Sequence, residues 1–279
     1  MPSLAVIIPA RNEASRLGAC LESIHRALTK AQVAAEVMVI DDDSTDATTQ
    51  VGLAGGATVL HQRPRRGPLS AWKLGVEATS APLLILVDAD CRVDRTALSA
   101  LLAGFEDAKV GVVAGRTQPV DAGAPSGVVG RSAIFSALLL HQIKTRLGDH
   151  DFLPIGRLMA VRRTAWKIVD CDLVPCDRAV AHLARTAGWK IVYAPEALVF
   201  FEPVTTYRAL RDDYRRTSAV GDSLALAYDR IPRGVQARAV WDATLAAPVD
   251  ALAWAACRAL LLGQQWIRPG QPALSSWPG

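Results

Sequence analysis

Short apolar runs and stretches of helical periodicity alternate along the first two thirds of the chain. The mainly apolar runs Leu4–Ile8, Glu36–Ile40 and Leu83–Val87 have the length and composition of buried strands. The stretch after Asn12 repeats its apolar residues at helical spacing, with one face formed by Leu17, Leu21, Ile24 and Leu28. Repeated β–α units of this kind predict an α/β fold, with a mostly parallel sheet and helices on both faces.

The same patterns predict the remaining elements. Strands are expected at Ala57–His61 and within "KVGVVAG", "RLMAVRR" and "KIVYAP". Helices are expected in "PLSAWKLGVEAT", in "RTALSALLAGFEDA" and over Ser132–Leu147. The apolar face of that last helix is predicted to contain Ile134, Leu138, Ile143 and Leu147.

Turn-forming residues predict where several elements begin and end. Pro9 should stop the first strand, and Asn12 should cap the first helix. Ser44 should cap a short helix that ends at Gly55-Gly56.

The chain is expected to divide into three segments. Residues 1–205 are predicted to form the α/β domain, residues 206–267 a C-terminal helical extension and residues 268–279 a disordered, proline-rich tail. The apolar stretch Thr244–Ile267 is interrupted by Asp250 and Arg258, each of which would cost about 2.5–3.5 kcal/mol at a bilayer centre. We therefore expect a core or membrane-interfacial helix there, and not a membrane span.

Charge and cysteine usage exclude several classes of function. The net charge of +4 and the lack of a long basic run argue against a nucleic-acid partner. The densest basic cluster, Arg63, Arg65 and Arg66, suits a single phosphate group or a solvated loop. The five cysteines include no Cys-x-x-Cys element, which argues against zinc and favours free thiols in a reducing compartment. With no secretory leader at the start, a cytoplasmic location is predicted.

Two acidic clusters follow predicted strands. Asp88 and Asp90 come directly after Leu83–Val87, and Asp41–Asp43 begins after Glu36–Ile40. Parallel sheets bind ligands beyond the carboxyl ends of their strands, so both clusters are expected at the ligand-binding edge. A carboxylate beside a buried strand needs a partner, which could be an arginine, a helix N-terminus or a bound cation. The dinucleotide-binding and P-loop glycine motifs do not occur.

Five ordered blocks resemble the family 2 glycosyltransferases of the GT-A fold. The blocks are "VIIPARNEASRL", "VIDDDSTDAT", "GPLSAWKLGVEA", "VDADCRVDRTAL" and "CDRAVAHLARTAGWKIVYAP". They run in family order from Leu4 to Pro195. The resemblance implies a metal-dependent enzyme that transfers a sugar from a nucleotide-sugar, usually a UDP-sugar, with inversion at the anomeric carbon.

The resemblance also implies roles for individual residues. Asp90 would be the main ligand of Mg²⁺ or Mn²⁺, with Asp88 directed toward the metal or the ribose. Asp177 would be the catalytic base on the acceptor side. The remaining nucleotide-sugar contacts would come from Pro9, Ala10, Arg11, Glu13, Asp42, Arg66, Lys73 and Ala89.

The chain departs from the family pattern at several positions. Asp43 stands where glycine or asparagine is usual, and Lys73 replaces a frequent asparagine. Cys176 replaces the glutamate of a Glu-Asp pair, and Thr217 stands in place of the tryptophan of the processive motif. The last change predicts transfer of one sugar. The acceptor is expected to be a small molecule or a lipid-like alcohol delivered at a membrane surface. Ser132–Leu147 and the apolar segment 240–267 would form the contact, with basic residues nearby: Arg131, Lys144, Arg146 and Arg258. The alternative is that both helices simply cover the sheet.

Purely structural roles are the alternatives for residues of the acidic clusters and for Asp177. Asp88 could cap a helix, Asp90 could pair with an arginine, and Asp177 could serve only as a helix N-cap. A sugar-phosphate nucleotidyltransferase is the alternative enzyme, although its glycine-rich phosphate loop is missing. The non-catalytic alternative is a nucleotide-sugar-binding protein without turnover, which Lys73 and Cys176 favour.

Overall fold

The computed structural model of the chain contains one mixed sheet and helices. It describes residues 3–120, 127–147, 156–167, 176–218 and 232–267. The strands are β1 (Leu4–Ala10), β2 (Ala35–Asp41), β3 (Thr58–His61), β4 (Leu83–Val87), β5 (Cys91–Val93), β6 (Val110–Pro119), β7 (Leu158–Arg162) and β8 (Lys190–Phe201). The helices are α1 (Ala14–Ala31), α2 (Thr48–Ala54), α3 (Pro68–Ala78), α4 (Ala97–Ala103), α5 (Val128–Leu147), α6 (Cys176–Thr186), α7 (Tyr207–Ser218), α8 (Arg233–Ala246) and α9 (Pro248–Ile267).

The sheet has a parallel half and an antiparallel half. Its order is β3-β2-β1-β4-β7-β6-β8-β5. The strands β3, β2, β1 and β4 pair in parallel, whereas β7 pairs antiparallel to both β4 and β6, and β5 pairs antiparallel to β8. The carboxyl ends of β1, β2 and β4 therefore lie at one edge, as the positions of the acidic clusters predicted.

Alternate residues of the strands face two separate layers of helices. Val6 and Ile8 belong to the apolar cluster that contains the predicted face of α1 and the buried side of α4. Ala5 and Ile7 belong to the opposite cluster, which contains apolar residues of α3 and α6. Because both faces of the sheet are covered, the inner strands β1 and β4 are apolar at every position. The predicted fold class is confirmed.

Three of the predicted turn positions are wrong. Pro9 lies inside β1 and pairs with Ile40. Pairing of β1 with β4 ends at Ile7, so Pro9 occupies a part of the strand paired on one side only, where proline is tolerated. The helix α1 begins after Glu13, and α2 begins after Ala47, so neither Asn12 nor Ser44 is the N-cap residue. The predicted end of α2 at Gly55 is confirmed.

The described chain separates into two compact units. The first contains Met1–Thr117 and Leu153–Phe201, and the second contains Gln118–Phe152 and Glu202–Gly279. The predicted tail at 268–279 lies outside the described residues. Among the described helices, none has the length and hydropathy needed to cross a membrane.

The second unit is built around α5, which packs against α8 and α9. Phe135 lies with its ring centroid 5.3 Å from that of Trp254. Two ion pairs join the same helices: Arg131 to Asp250 at 3.0 Å, and Arg146 to Asp242. The predicted apolar face of α5 is only partly correct. Leu147 is buried, but Ile134, Leu138 and Ile143 are half-buried, and the other buried apolar side chains are Phe135 and Ala137.

Candidate active site

The loops that follow β1 and β2 are bonded to each other. The backbone N–H of Asn12 donates to Ser44 Oγ at 3.1 Å, and Asn12 Oδ1 accepts the N–H of Thr45 at 2.9 Å. The N–H of Glu13 donates to Thr48 Oγ1 at 2.8 Å. The two residues predicted as helix caps therefore fix one loop against the other. This arrangement holds the Pro-Ala-Arg-Asn-Glu turn next to the acidic cluster Asp41–Asp43.

Asp43 and Asn12 both adopt left-handed backbone conformations in this pair of loops. Their φ angles are 64° and 54°. Asparagine and aspartate tolerate this region better than other residues with a side chain. The expectation that Asp43 accommodates a left-handed turn is confirmed.

Asp42 organises the loop that carries the basic cluster. Its carboxylate is buried, and Oδ1 accepts the backbone N–H of Arg66 at 2.8 Å while Oδ2 accepts that of Gly67 at 2.9 Å. The Gln62 amide also donates to Oδ1. The carboxylate of Asp42 thus holds the loop between β3 and α3 against the end of β2. The backbone N–H of Asp42 donates to the carbonyl of Ala10 at 2.9 Å.

Two arginine side chains lie close enough to influence each other beside this loop. Arg11 Nε is buried and has no hydrogen-bond partner in the part of the chain that the structure describes. Burial lowers the pKa of Arg65, the nearby charge of Arg11 lowers it further, and Asp42 opposes both. Positive charges held together in this way favour an anionic ligand.

Asp88 and Asp90 lie directly beyond β4 and contact Arg157. Arg157 Nη1 donates to both oxygens of Asp90, at 2.9 and 2.8 Å, and lies 3.6 Å from Asp88 Oδ2. The Asp88 N–H donates to the carbonyl of Arg157 at 3.2 Å. The guanidinium also lies 4.7 Å from the ring centroid of Phe201. An arginine, one of the three partners considered for these acids, is therefore present.

The charges around Asp90 shift several pKa values. Burial acts to raise the pKa of Asp90, but Arg157, a hydrogen bond from Cys91 and the more distant Arg16 lower it below its ordinary value. Arg16 Nη1 lies 3.9 Å from Asp90 Oδ2 and Arg16 Nε lies 3.1 Å from Glu13 Oε2. Burial raises the pKa of Glu13 to about 7 despite Arg16. Asp90 is thus held ionised next to a carboxyl group that is half protonated near neutral pH.

The oxygen donors at the end of β4 suit a hard divalent cation. Ligand atoms of Asp88, Asp90 and Cys91 all lie within 4.8 Å of one another. Burial and the two aspartates raise the pKa of Cys91, so its sulfur remains a thiol, which is a poor metal ligand. Mg²⁺ and Mn²⁺ are commonly bound by one or two carboxylates together with substrate phosphates. The two aspartates fit that arrangement.

Asp177 is tied to the residue that precedes Arg157. It is the second residue of α6, and its Oδ2 accepts the backbone N–H of Gly156 at 2.7 Å. The consecutive residues Gly156 and Arg157 therefore contact the predicted base and the predicted metal ligand. Asp177 therefore lies inside α6 and not at its N-cap, and its carboxylate is bonded to another segment of the chain.

The other predicted contact residues lie at the ends of β1 and β4 and on α3. Pro9 and Ala10 end β1 beside Ile40 and Asp41. Ala89 is buried between the two aspartates. Lys73 is half-buried on α3, next to Trp72, whose buried indole Nε1 has no hydrogen-bond partner in the described residues. The side chains of Cys176 and Thr217 lie outside the described residues.

Sequence reasoning missed Arg157 and Arg16. In the antiparallel pairing of β4 with β7, Val87 lies opposite Leu158, which brings Arg157 beside Asp88. "RLMAVRR" was predicted as a strand, but its partner and direction were not, so the position of its first arginine could not be inferred. Arg16 lies on the helix after the Pro-Ala-Arg-Asn-Glu turn, three residues beyond Glu13, and that spacing could have indicated it.

Comparison with known proteins identifies a family. A family model described as glycosyl transferase family 2 matches residues 5–168. An uncharacterized glycosyltransferase of Mycobacterium tuberculosis is 32% identical over 201 residues, which cover 68% of this chain and 82% of that protein.

Two solved structures share the fold. A mannosyltransferase from Pyrobaculum calidifontis in complex with GDP-Man and Mn²⁺ aligns with a TM-score of 0.64 and 20% identity, covering 98% of this chain and 82% of that one. Glucosyl-3-phosphoglycerate synthase from Mycobacterium tuberculosis, in complex with Mn²⁺, UDP and glucosyl-3-phosphoglycerate, aligns with a TM-score of 0.58 and 19% identity, covering 80% and 79%. At these identities the likeness concerns the fold.

Proposed function

The chain belongs to glycosyl transferase family 2, and on that premise we propose that it moves one sugar from a UDP-sugar to an acceptor hydroxyl with inversion. The observation that carries the proposal is the acid pair Asp88 and Asp90 at the same sheet edge as Asp42 and the arginine-bearing loops. The family match favours sugar transfer over the nucleotidyltransferase and the inactive binding protein considered from the sequence.

The donor side of the proposal assigns one role to each group of residues. Asp90, with Asp88, would hold Mg²⁺ or Mn²⁺, which when bound offsets the charge on the departing diphosphate. Asp42 would hold the nucleoside, either directly or through the backbone of Arg66 and Gly67 that it orders. Arg11, whose buried Nε has no hydrogen-bond partner among the residues described, would bind a phosphate oxygen. UDP as the donor nucleotide is part of the proposal, because the mannosyltransferase structure contains GDP-Man and the synthase structure contains UDP.

The acceptor side depends on Asp177 as general base. An inverting transfer needs a group that removes the proton from the acceptor hydroxyl, and that group must lie within about 2.6–3.2 Å of the hydroxyl. The backbone N–H of Gly156 orients one carboxylate oxygen of Asp177. That orientation supports the assignment, because a base works best when its position is fixed before the substrate binds.

We further propose that the acceptor is a lipid-like alcohol and that the helical unit contacts an anionic membrane from the cytoplasmic side. Large apolar side chains of α8 and α9 are exposed: Val240, Trp241, Leu245, Val249, Leu252 and Leu260. Exposed basic residues, Arg233, Arg238 and Arg258, lie on the same helices. Asp242 and Asp250 pair with arginines of α5, so the described surface of α8 and α9 has apolar and cationic character, as interfacial helices do.

The basic residues of this membrane contact differ from those expected from the sequence. Lys144 is 1% exposed and therefore unavailable to a membrane. Arg131 and Arg146 bind Asp250 and Asp242. Of the four basic residues named from the sequence, Arg258 is exposed, and it lies over the ring of Trp254. The exposed Arg233 and Arg238 take the place of the other three in the proposal.

A panel of nucleotide-sugars tests the proposed function. The protein is incubated with each donor and Mn²⁺, with and without a chelator, and the released nucleotide is measured. Release of UDP that the chelator abolishes supports the proposal, whereas products containing UMP would indicate nucleotidyl transfer. With an accepted donor and acceptor, mass spectrometry should find one added sugar, and a ladder of products would contradict the single transfer predicted from Thr217.

A further inference from the structure

Arg157 places positive charge between the two acids that are proposed to bind the cation. Its Nη1 contacts both Asp90 oxygens and lies 3.6 Å from the nearer oxygen of Asp88. The guanidinium therefore neutralises part of the charge that would attract a divalent ion.

We propose that Arg157 makes binding of the divalent cation at Asp88 and Asp90 conditional on the nucleotide diphosphate. The inference rests on the proposed function, because it concerns the same donor site. An ion that arrives alone must either displace the guanidinium, which breaks the ion pair between Arg157 and Asp90, or bind beside it, where like charges repel in a partly buried site. A diphosphate supplies negative charge that a displaced guanidinium can pair with. The ion and the nucleotide then bind more tightly together than separately.

The surroundings of Arg157 allow such a displacement. Its side chain is 33% exposed, so it is not locked in the core. Two other arginines near the same strand are used differently. Arg162 Nε donates to the carbonyl of Val110 and Arg163 Nε to that of Ala81, so both stabilise the fold through backbone contacts. Arg157 instead contacts two carboxylates and an aromatic face, which are partners that it can leave without exposing an unsatisfied backbone group.

Arg157 is adjacent in the chain to a residue that contacts the acceptor-side acid. The preceding residue, Gly156, donates its N–H to Asp177 and has a φ of +96°, which a glycine adopts at little cost. Arg157 would act on the cation through Asp88 and Asp90 and not on the reacting atoms, so it is a positioning residue.

Titration calorimetry with Mn²⁺, in the presence and absence of UDP, tests the inference on the full chain. Wild type is compared with Arg157→Gln, Arg157→Lys and Arg92→Gln. Arg92 is an exposed arginine on β5, so its substitution makes the same change in net charge near the site. For Arg157→Gln we expect Mn²⁺ alone to bind about tenfold more tightly than in wild type, and UDP to improve Mn²⁺ affinity by correspondingly less. Arg157→Lys and Arg92→Gln should retain most of the effect of UDP.

Each outcome of this experiment decides a point. If wild type binds Mn²⁺ with UDP, and Arg157→Gln shows the same Mn²⁺ affinity and the same UDP effect, the inference is wrong while the proposed metal site stands. If wild type and Arg157→Gln both fail to bind Mn²⁺ with or without UDP, the proposed metal site and the inference are both wrong. Should thermal melting show that Arg157→Gln is unfolded, Arg157→Met, which keeps an apolar contact with Phe201, replaces it with the same expectations.

Discussion

Gly156 donates its backbone N–H to a carboxylate oxygen of Asp177 at 2.7 Å. The next residue, Arg157, contacts both oxygens of Asp90. Two consecutive residues thus connect the end of β4 with the start of α6. In the proposed function these are the donor and acceptor sides of one reaction.

Replacement of Asp177 by asparagine should remove the base and preserve the fold. Asparagine can still accept the Gly156 N–H, but it cannot take the acceptor proton. We expect normal UDP binding and a loss of roughly 10²–10⁴ in turnover, the usual contribution of a general base. Steady-state kinetics with a saturating acceptor measure the change. The control is Asp172→Asn, because Asp172 is an aspartate close to Asp177 in the sequence. Near wild-type turnover in Asp177→Asn would overturn the assignment.

Replacement of Asp42 by alanine should weaken UDP binding even without metal. The substitution leaves the N–H groups of Arg66 and Gly67 without their acceptor, which should also destabilise the protein by about 1–3 kcal/mol. Calorimetry with UDP in chelator, together with thermal melting, measures both effects. Asp43→Asn removes a charge from the neighbouring, more exposed position and should change neither quantity by as much. Unchanged UDP affinity in Asp42→Ala would contradict the nucleoside role.

Glu13 should make the protein less stable as the pH rises toward 7. Burial raises its pKa from 4.5 to about 7. The nearby Arg16 and Arg157 act to lower this pKa, and Asp90 and Asp46 act to raise it. Between these two values the folded protein binds a proton that the unfolded chain has lost, so the free energy of unfolding falls as the pH rises. For one such group the fall is at most about 1.4 kcal/mol per pH unit, and it is complete above pH 7.

Thermal melts of wild type and Glu13→Gln in chelator, from pH 4.5 to 7.5, test this dependence. The glutamine variant should gain stability relative to wild type as the pH rises. Glu22→Gln, at an exposed position of α1, should show no such trend. A constant difference between wild type and Glu13→Gln across this range would refute the prediction.

The exposed apolar side chains of α8 and α9 should support binding to anionic vesicles. Trp241→Ser and Leu252→Ser, at positions 63% and 73% exposed, should each weaken binding by about fivefold, roughly 1 kcal/mol for partial burial of one side chain. Flotation with anionic and neutral vesicles measures the effect. Leu53→Ser is the matched control, because Leu53 is an exposed leucine of the sheet-containing unit. Lack of binding to anionic vesicles would favour a soluble acceptor.

The sequence predicted those features that depend on local patterns. The continuous apolar run of β4 and the acids after it identified the sheet edge, because a strand buried on both faces leaves an unmistakable composition. The left-handed turn at Asp43 was likewise predictable from its residue type. These features need no knowledge of which segments meet in space.

Features that depend on distant partners were not predictable. Asn12 and Ser44 resemble helix caps, but each is bonded to the loop of the other, and that tertiary contact prevailed over the local preference. Arg157 reaches Asp90 only because β7 enters the sheet antiparallel beside β4, which the chain order does not reveal. The burial of Lys144 conflicts with the preference of lysine for the surface, and no local sequence pattern predicted it.

The central claim, that the acids beyond β4 bind the cation of a nucleotide-sugar complex, is tested most directly by calorimetry of UDP binding with Mn²⁺. Asp90→Ala is compared with wild type and with Asp107→Ala, an exposed acid that pairs with Lys190. We predict that Mn²⁺ strengthens UDP binding in wild type and in Asp107→Ala, and that this gain is lost in Asp90→Ala. Equal Mn²⁺-dependent affinity for UDP in Asp90→Ala and wild type would contradict the claim.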